Sequence, residues 1–88
     1  MKLLLDQLAW EGMLYLQEYE PKSAARLNDL ISECLRHPFA GTGKPEPLKG
    51  NWSGWWSRRI TQEHRLVYRV IGKDAEQRLE IAQCRYHY

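Results

Sequence analysis

One glutamate in this chain has an unusually constrained backbone. In G-K-P-E-P-L-K (43–49), Glu46 stands between two prolines, each of which fixes φ and removes a backbone donor. Lys44 and Lys49 flank it. The chain ends C-R-Y-H-Y (84–88), with His87 between Tyr86 and Tyr88, although chain ends ordinarily fray. Between these two stretches lie Arg58, Arg59, Arg65 and Arg69, interleaved with Trp52, Trp55, Trp56 and Tyr68.

One held carboxylate, one imidazole and several guanidinium groups are the parts needed to cleave RNA without a metal. Such cleavage uses the RNA's own 2′-hydroxyl. A base removes its proton, an acid protonates the departing 5′-oxygen, and a cation neutralises the charge that builds on the phosphorus oxygens. A glutamate of ordinary pKa (~4.3) is ionised at neutral pH, and a histidine (~6.5) is partly protonated. Each proton-transfer group is typically worth about 10² to 10⁴ in rate. Arginine suits the anionic transition state because its planar fork binds phosphate oxygens in pairs and stays charged. The same residues admit plainer readings: a solvated loop glutamate, arginines that keep exposed strands soluble, and tryptophans in a core. Cations beside aromatic rings are also the ingredients of single-strand RNA binding without catalysis.

The elements that must position these groups can be read from periodicity. K-L-L-L (2–5) reads as a short strand with Asp6 as N-cap of a first helix over 7–19. There Trp10, Met13 and Leu14 recur at helical offsets, and Tyr15, Leu16 and Tyr19 widen the apolar face. Pro21 suits the first turn of a second helix. Ala24, Leu27, Ile31, Cys34 and Leu35 form its stripe, and Pro38 stops it. Residues 39–51 hold three glycines and two prolines and predict an irregular loop. Residues 55–60, 64–71 and 78–86 read as strands, with G-K-D (72–74) as the turn between the last two. In the middle strand Leu66, Tyr68 and Val70 alternate with Arg65 and Arg69, so one side is buried and an arginine-lined side faces out. Strand neighbours point opposite ways, so at least one of Trp55 and Trp56 faces the core. The expectation is an α+β fold: a small antiparallel sheet with an N-terminal strand and a helical hairpin on one face, the other face open.

The totals fit one domain spanning 1–88, with 43% apolar and 27% charged residues. That composition excludes extended disorder. Net charge is +2 but unevenly spread: residues 1–40 hold four basic and six acidic side chains, residues 41–88 nine and five. The opening apolar run stops at Asp6, too short for a signal peptide, and nothing approaches transmembrane length; the expected location is the cytoplasm. Cys34 and Cys84 fall on different elements, and a disulfide framework would need more cysteines. Cys34-x-x-His37 and Cys84-x-x-His87 repeat one spacing that tetrahedral zinc would accept. Against zinc, Cys34 sits on the apolar stripe as a buried thiol would. No cofactor or metal is expected. His37 reads as a helix-end residue, and strand alternation sends His64 to the face opposite Arg65, into packing.

The run P-F-A-G-T-G-K-P-E-P-L-K-G-N-W-S-G-W-W-S-R-R-I-T-Q-E-H-R-L-V-Y (38–68), with the ending C-R-Y-H-Y, resembles the Txe/YoeB branch of the RelE/ParE toxin superfamily across essentially the whole chain. The resemblance implies a RelE-like, microbial-ribonuclease-like fold. It also implies a toxin of a bacterial toxin–antitoxin pair that cuts messenger RNA in the ribosomal A site and is held inactive by its antitoxin. Carried over by position, Glu46 would be the general base, Arg65 the phosphate-stabilising arginine and His87 the general acid, with Tyr88 orienting substrate or histidine. Arg59, and more loosely Lys44, Lys49 and Arg58, would contact RNA backbone. The implied partners are the ribosome, mRNA and an acidic, partly disordered YefM/Phd-like antitoxin, with a tendency to homodimerise. ParE-like relatives that poison a protein target such as DNA gyrase are the alternative, but they need no paired base and acid. The turn at 72–77 is longer than is usual in the branch, and Trp52 is a bulkier aromatic than expected.

Overall fold

The computed structural model describes residues 1–86. In chain order it contains β1 (Lys2–Leu5), α1 (Gln7–Tyr19), α2 (Pro21–Arg36), β2 (Glu46–Pro47), β3 (Trp56–Arg59), β4 (Arg65–Ile71) and β5 (Arg78–Gln83). Short 3₁₀ turns occupy Gly50–Trp52 and Asp74–Glu76. The strands form one sheet in the order β1-β5-β4-β3-β2. The β5-β4-β3 run is antiparallel as expected, and β2, within the stretch read as an irregular loop, adds a further antiparallel strand; β1 lies parallel to β5, so the sheet is mixed. The chain between β1 and β5 includes both helices, long enough for the crossover that a parallel pair requires.

A single residue, Glu20, joins the helices, and Pro21 opens α2, where a missing backbone N–H costs nothing. The α2 stripe buries as its spacing predicts: Ala24, Leu27, Ile31 and Cys34 enter the core, joined by Leu30. They meet Ile60, Leu66, Tyr68, Leu79 and Ile81 from the sheet region. Each large aliphatic side chain buried there contributes roughly 1.5–3 kcal/mol relative to exposure. Neither helix is long and apolar enough to cross a membrane.

The first helix departs from the expectation. Its buried residues are Ala9, Gly12 and Leu16, while Trp10 (49% exposed) and Leu14 (45%) face outward. Small residues win because α1 lies close against the end of β5. A Cβ at Gly12 would stand 3.0 Å from the Cys84 sulfur, tighter than ordinary van der Waals contact. The Cys84 thiol also donates to the Ala9 carbonyl at 3.4 Å. Hydrophobicity alone would have turned Trp10 inward, but close backbone approach selects glycine and alanine instead.

Candidate active site

Register decides which side chains share a face, because directly opposed residues in an antiparallel ladder point the same way. Glu46 opposes Ser57, Ser57 opposes Val67, and Arg59 opposes Arg65. Residues two apart on a strand also share a face. Glu46, Ser57, Arg59, Arg65 and Val67 therefore lie on the face away from the helices. Trp56, Arg58, Leu66 and Tyr68 lie on the helix side. Glu46 and Arg65 are two strands and two residues apart, ~12 Å between Cα atoms from standard sheet spacings. The face is not open throughout: Ser57 and Val67 at its centre are buried, whereas Glu46, Arg59, Lys44 and Lys49 at its margins are exposed.

Glu46 is held through its backbone. It sits in the two-residue β2, whose Pro47 opposes Trp56. Proline is tolerated here because β2 is a sheet edge with no further strand to receive its missing N–H. Just before it, Lys44 adopts φ +53°, a left-handed backbone uncommon outside glycine. The loop expected from sequence thus contains a short strand where the candidate base resides.

Arg65 is fixed by its own loop. Its Nη1 donates to the carbonyls of Thr61 at 2.6 Å, His64 at 3.0 Å and Gln62 at 3.1 Å. These three bonds all use Nη1, and among the described residues none is made by Nε or Nη2, the pair that forms the other edge of the guanidinium fork. Arg59 is exposed and carries no ion pair among the described residues. With Arg26, Ile60, Thr61 and Gln62, these two arginines line a cleft of about 780 Å³. Sequence reading missed Arg26. Its side chain crosses from α2 to donate to the Ile60 carbonyl at 2.7 Å and the Arg59 carbonyl at 3.3 Å, adding a third cation. No local motif marks it, because the contact spans more than thirty residues.

Arg58 is a correction. Expected among the RNA contacts, it is fully buried on the helix side. Its Nη2 donates to the carbonyls of Ala40 (2.8 Å) and His37, and Nη1 to that of Thr42 at 3.2 Å. Its Nε donates to the Tyr68 hydroxyl at 3.2 Å, and Glu33 pairs with it at 3.4 Å. The Tyr68 hydroxyl in turn donates to the Pro38 carbonyl at 2.6 Å. Burial pushes the Tyr68 phenol up to about 12, the Arg58 hydrogen bond pulling the other way. This guanidinium staples the 37–42 loop to the sheet, and strand alternation is the reason: of two adjacent arginines, one had to face inward.

Arg69 stays on the outer face but is engaged, donating to Glu80 at 2.8 and 3.0 Å and lying 4.4 Å from the centre of the Trp55 ring. Trp56 packs against the core and against Phe39 at 4.8 Å between centroids, while Trp55 meets Trp52 edge-on at 5.6 Å. His37 caps the end of α2. His64 is buried, as alternation required. Both cysteines are free and buried, and desolvation raises both thiols, Cys84 to about 12. Among the described residues, no group of three or more histidine, cysteine or acidic side chains is placed to hold a metal. His87 and Tyr88, the remaining candidate site residues, lie outside the described residues.

The family described as YoeB-like toxin of bacterial type II toxin-antitoxin system matches residues 5–88. Toxin YoeB of Escherichia coli (strain K12) is 52% identical over 88 residues, covering the whole of both chains. Among solved structures, the YoeB/ParE toxin from Agrobacterium tumefaciens superposes with a TM-score of 0.95 at 53% identity, over 100% of each chain. The YoeB-YefM complex from Staphylococcus aureus superposes at 0.84 with 39% identity, over 100% of this chain and 98% of that one. This chain belongs to the YoeB-like toxin family of bacterial type II toxin–antitoxin systems.

Proposed function

We propose that the protein is a metal-independent endoribonuclease that cleaves mRNA in the ribosomal A site and so inhibits translation in the cytoplasm. The observation that carries this reading is the shared outer face: Glu46, Arg59 and Arg65 placed on one side of the sheet by register, with Arg65 oriented through its Nη1 by three carbonyls. Glu46 takes the proton of the 2′-hydroxyl, and the freed oxygen attacks the adjacent phosphorus. Arg65 binds the non-bridging oxygens as their charge grows, already oriented by three carbonyls and so needing little reorganisation. His87 gives its proton to the departing 5′-oxygen, leaving a 2′,3′-cyclic phosphate and a 5′-hydroxyl. Tyr88 orients the histidine or the substrate. Arg59, Lys44 and Lys49 contact RNA backbone, and Arg26 adds to the positive wall.

The matching antitoxin is an acidic segment, disordered when free, that folds across the cleft of Arg26, Arg59 and Arg65. YefM stands in complex with the S. aureus YoeB relative, which supports a partner of that kind here.

Programmed ribosomes and naked RNA, each incubated with wild type, with His87→Gln and with a chain lacking Tyr88, test the reading. Cuts within the A-site codon that end in a cyclic phosphate and fade in both variants are expected. Intact mRNA on ribosomes that demonstrably bind the protein would refute it and redirect attention to protein targets such as gyrase.

A further inference from the structure

His64 belongs to none of the roles above, yet it joins three parts of the molecule. Its ring is buried. Nδ1 lies 2.8 Å from the backbone nitrogen of Tyr86. A backbone N–H only donates, so Nδ1 accepts and the ring proton resides on Nε2. That nitrogen faces the Glu20 carboxylate at 3.1 and 3.2 Å, at the junction of the two helices. Glu20 is itself held by the Ser23 hydroxyl at 3.1 Å, and its carboxyl is lowered first by the His64 hydrogen bond.

Tyr86 is gripped from both sides. Its N–H goes to His64, and its carbonyl accepts the Arg65 N–H at 3.1 Å. Between these bonds its backbone adopts φ +64°, a conformation that a bulky residue keeps only when its surroundings over-determine it. The Tyr86 ring packs 5.6 Å from the His64 ring. On its other side, the Tyr86 hydroxyl accepts from Arg85 at 2.6 Å. The His64 carbonyl meanwhile accepts from Arg65 Nη1. One residue therefore ties the helix junction to the candidate phosphate-binding arginine and to the backbone of Tyr86.

We propose that His64 is a positioning residue: its Nδ1 acceptor clamps the backbone of Tyr86, the residue that precedes the proposed general acid in the sequence. It touches no substrate. The proposal rests on the nuclease reading for its catalytic consequence but not for the clamp itself.

Two substitutions separate the two ends of the ring. His64→Asn keeps an acceptor at the position of Nδ1 and loses Glu20. His64→Gln reaches toward Glu20 and loses the Tyr86 acceptor. The clamp predicts that Asn retains cleavage on programmed ribosomes within about threefold, whereas Gln loses about 10²-fold in kcat with little change in KM, the scale expected when a catalytic group is displaced by ~1 Å. Amide exchange at Tyr86 should accelerate in Gln and not in Asn. Equal losses in both variants, following their thermal stabilities, would reduce His64 to a packing residue. Should either variant fail to fold, ¹⁵N NMR of the wild type decides: a pyridine-like Nδ1 with the proton on Nε2 is required, and a proton on Nδ1 overturns the clamp. A wild type that leaves mRNA intact defeats the nuclease reading, and the clamp is then judged by the nitrogen tautomer and the Tyr86 amide.

Discussion

Arg58 and Arg59 are neighbours in the chain and stand on opposite faces of the same strand. The first is buried and bonded to three loop carbonyls, a tyrosine and a glutamate; the second is exposed at the mouth of the 780 Å³ cleft. A guanidinium taken out of water must recover its lost hydration through hydrogen bonds, and Arg58 recovers it from the 37–42 loop and Glu33. Arg59 keeps its hydration and remains available for an anion. The pair teaches that an arginine-rich motif is two different statements, one about holding a loop and one about meeting a ligand, and the pleat of the strand separates them.

Breaking the outer face should abolish chemistry without harming the fold. Glu46→Gln is expected to slow cleavage by about 10² to 10⁴-fold. Its urea midpoint should match wild type, because Glu46 is exposed. Breaking the inner face should do the reverse. Arg58→Met leaves Glu33 without its cation and strips hydrogen bonds from the carbonyls of His37, Ala40 and Thr42. The expected loss is about 3–5 kcal/mol in chemical denaturation, with the cleavage rate per folded molecule unchanged.

Smaller effects sharpen the contrast. Arg59→Ala should alter stability by no more than about 0.5 kcal/mol. It should weaken binding to single-stranded RNA with a salt slope shallower by about 0.7, the signature of one lost phosphate contact. Acid titration probes the inner side again. The Thr42 N–H donates to the Glu33 carboxylate at 3.0 Å, and this bond is the main reason that carboxyl sits below its ordinary value of 4.5, with Arg58 adding to it. A carboxyl depressed in the folded state stabilises above its unfolded pKa and loses that contribution as pH falls through the folded one. Below about pH 4.5 the wild type should therefore lose stability more steeply than Glu33→Gln, seen in urea melts at successive pH values.

Much of this division was legible in the sequence. The spacing of Leu27, Ile31 and Cys34 predicted the buried stripe of α2, and the alternation of Arg65 with Leu66 and Tyr68 predicted the two-sided β4. The prolines around Glu46 marked a stiff carboxylate. Alternation would also have sorted Arg58 from Arg59, had the buried parity of β3 been known; that parity comes from pairing with β4, a contact between strands. The face of α1 was out of reach for a different reason. Its orientation follows from the approach of Gly12 to Cys84, seventy-two positions away, and not from its own apolar pattern. Arg26 and the parallel pairing of β1 are likewise products of tertiary contact. The Glu20–His64–Tyr86 chain was half visible: E-H-R placed His64 inward, while its partners lie at distant points in the sequence.

The most direct measurement is a paired one on Glu46→Gln and wild type: single-turnover mRNA cleavage on programmed ribosomes, with the 3′ end of the upstream fragment identified, beside unfolding curves of the same preparations. The account predicts a 2′,3′-cyclic phosphate from wild type, cleavage reduced at least about 10²-fold in the variant, and superimposable unfolding curves. Undiminished cleavage by a folded Glu46→Gln would contradict it, because the outer face would then have no base at the position the sheet assigns to Glu46.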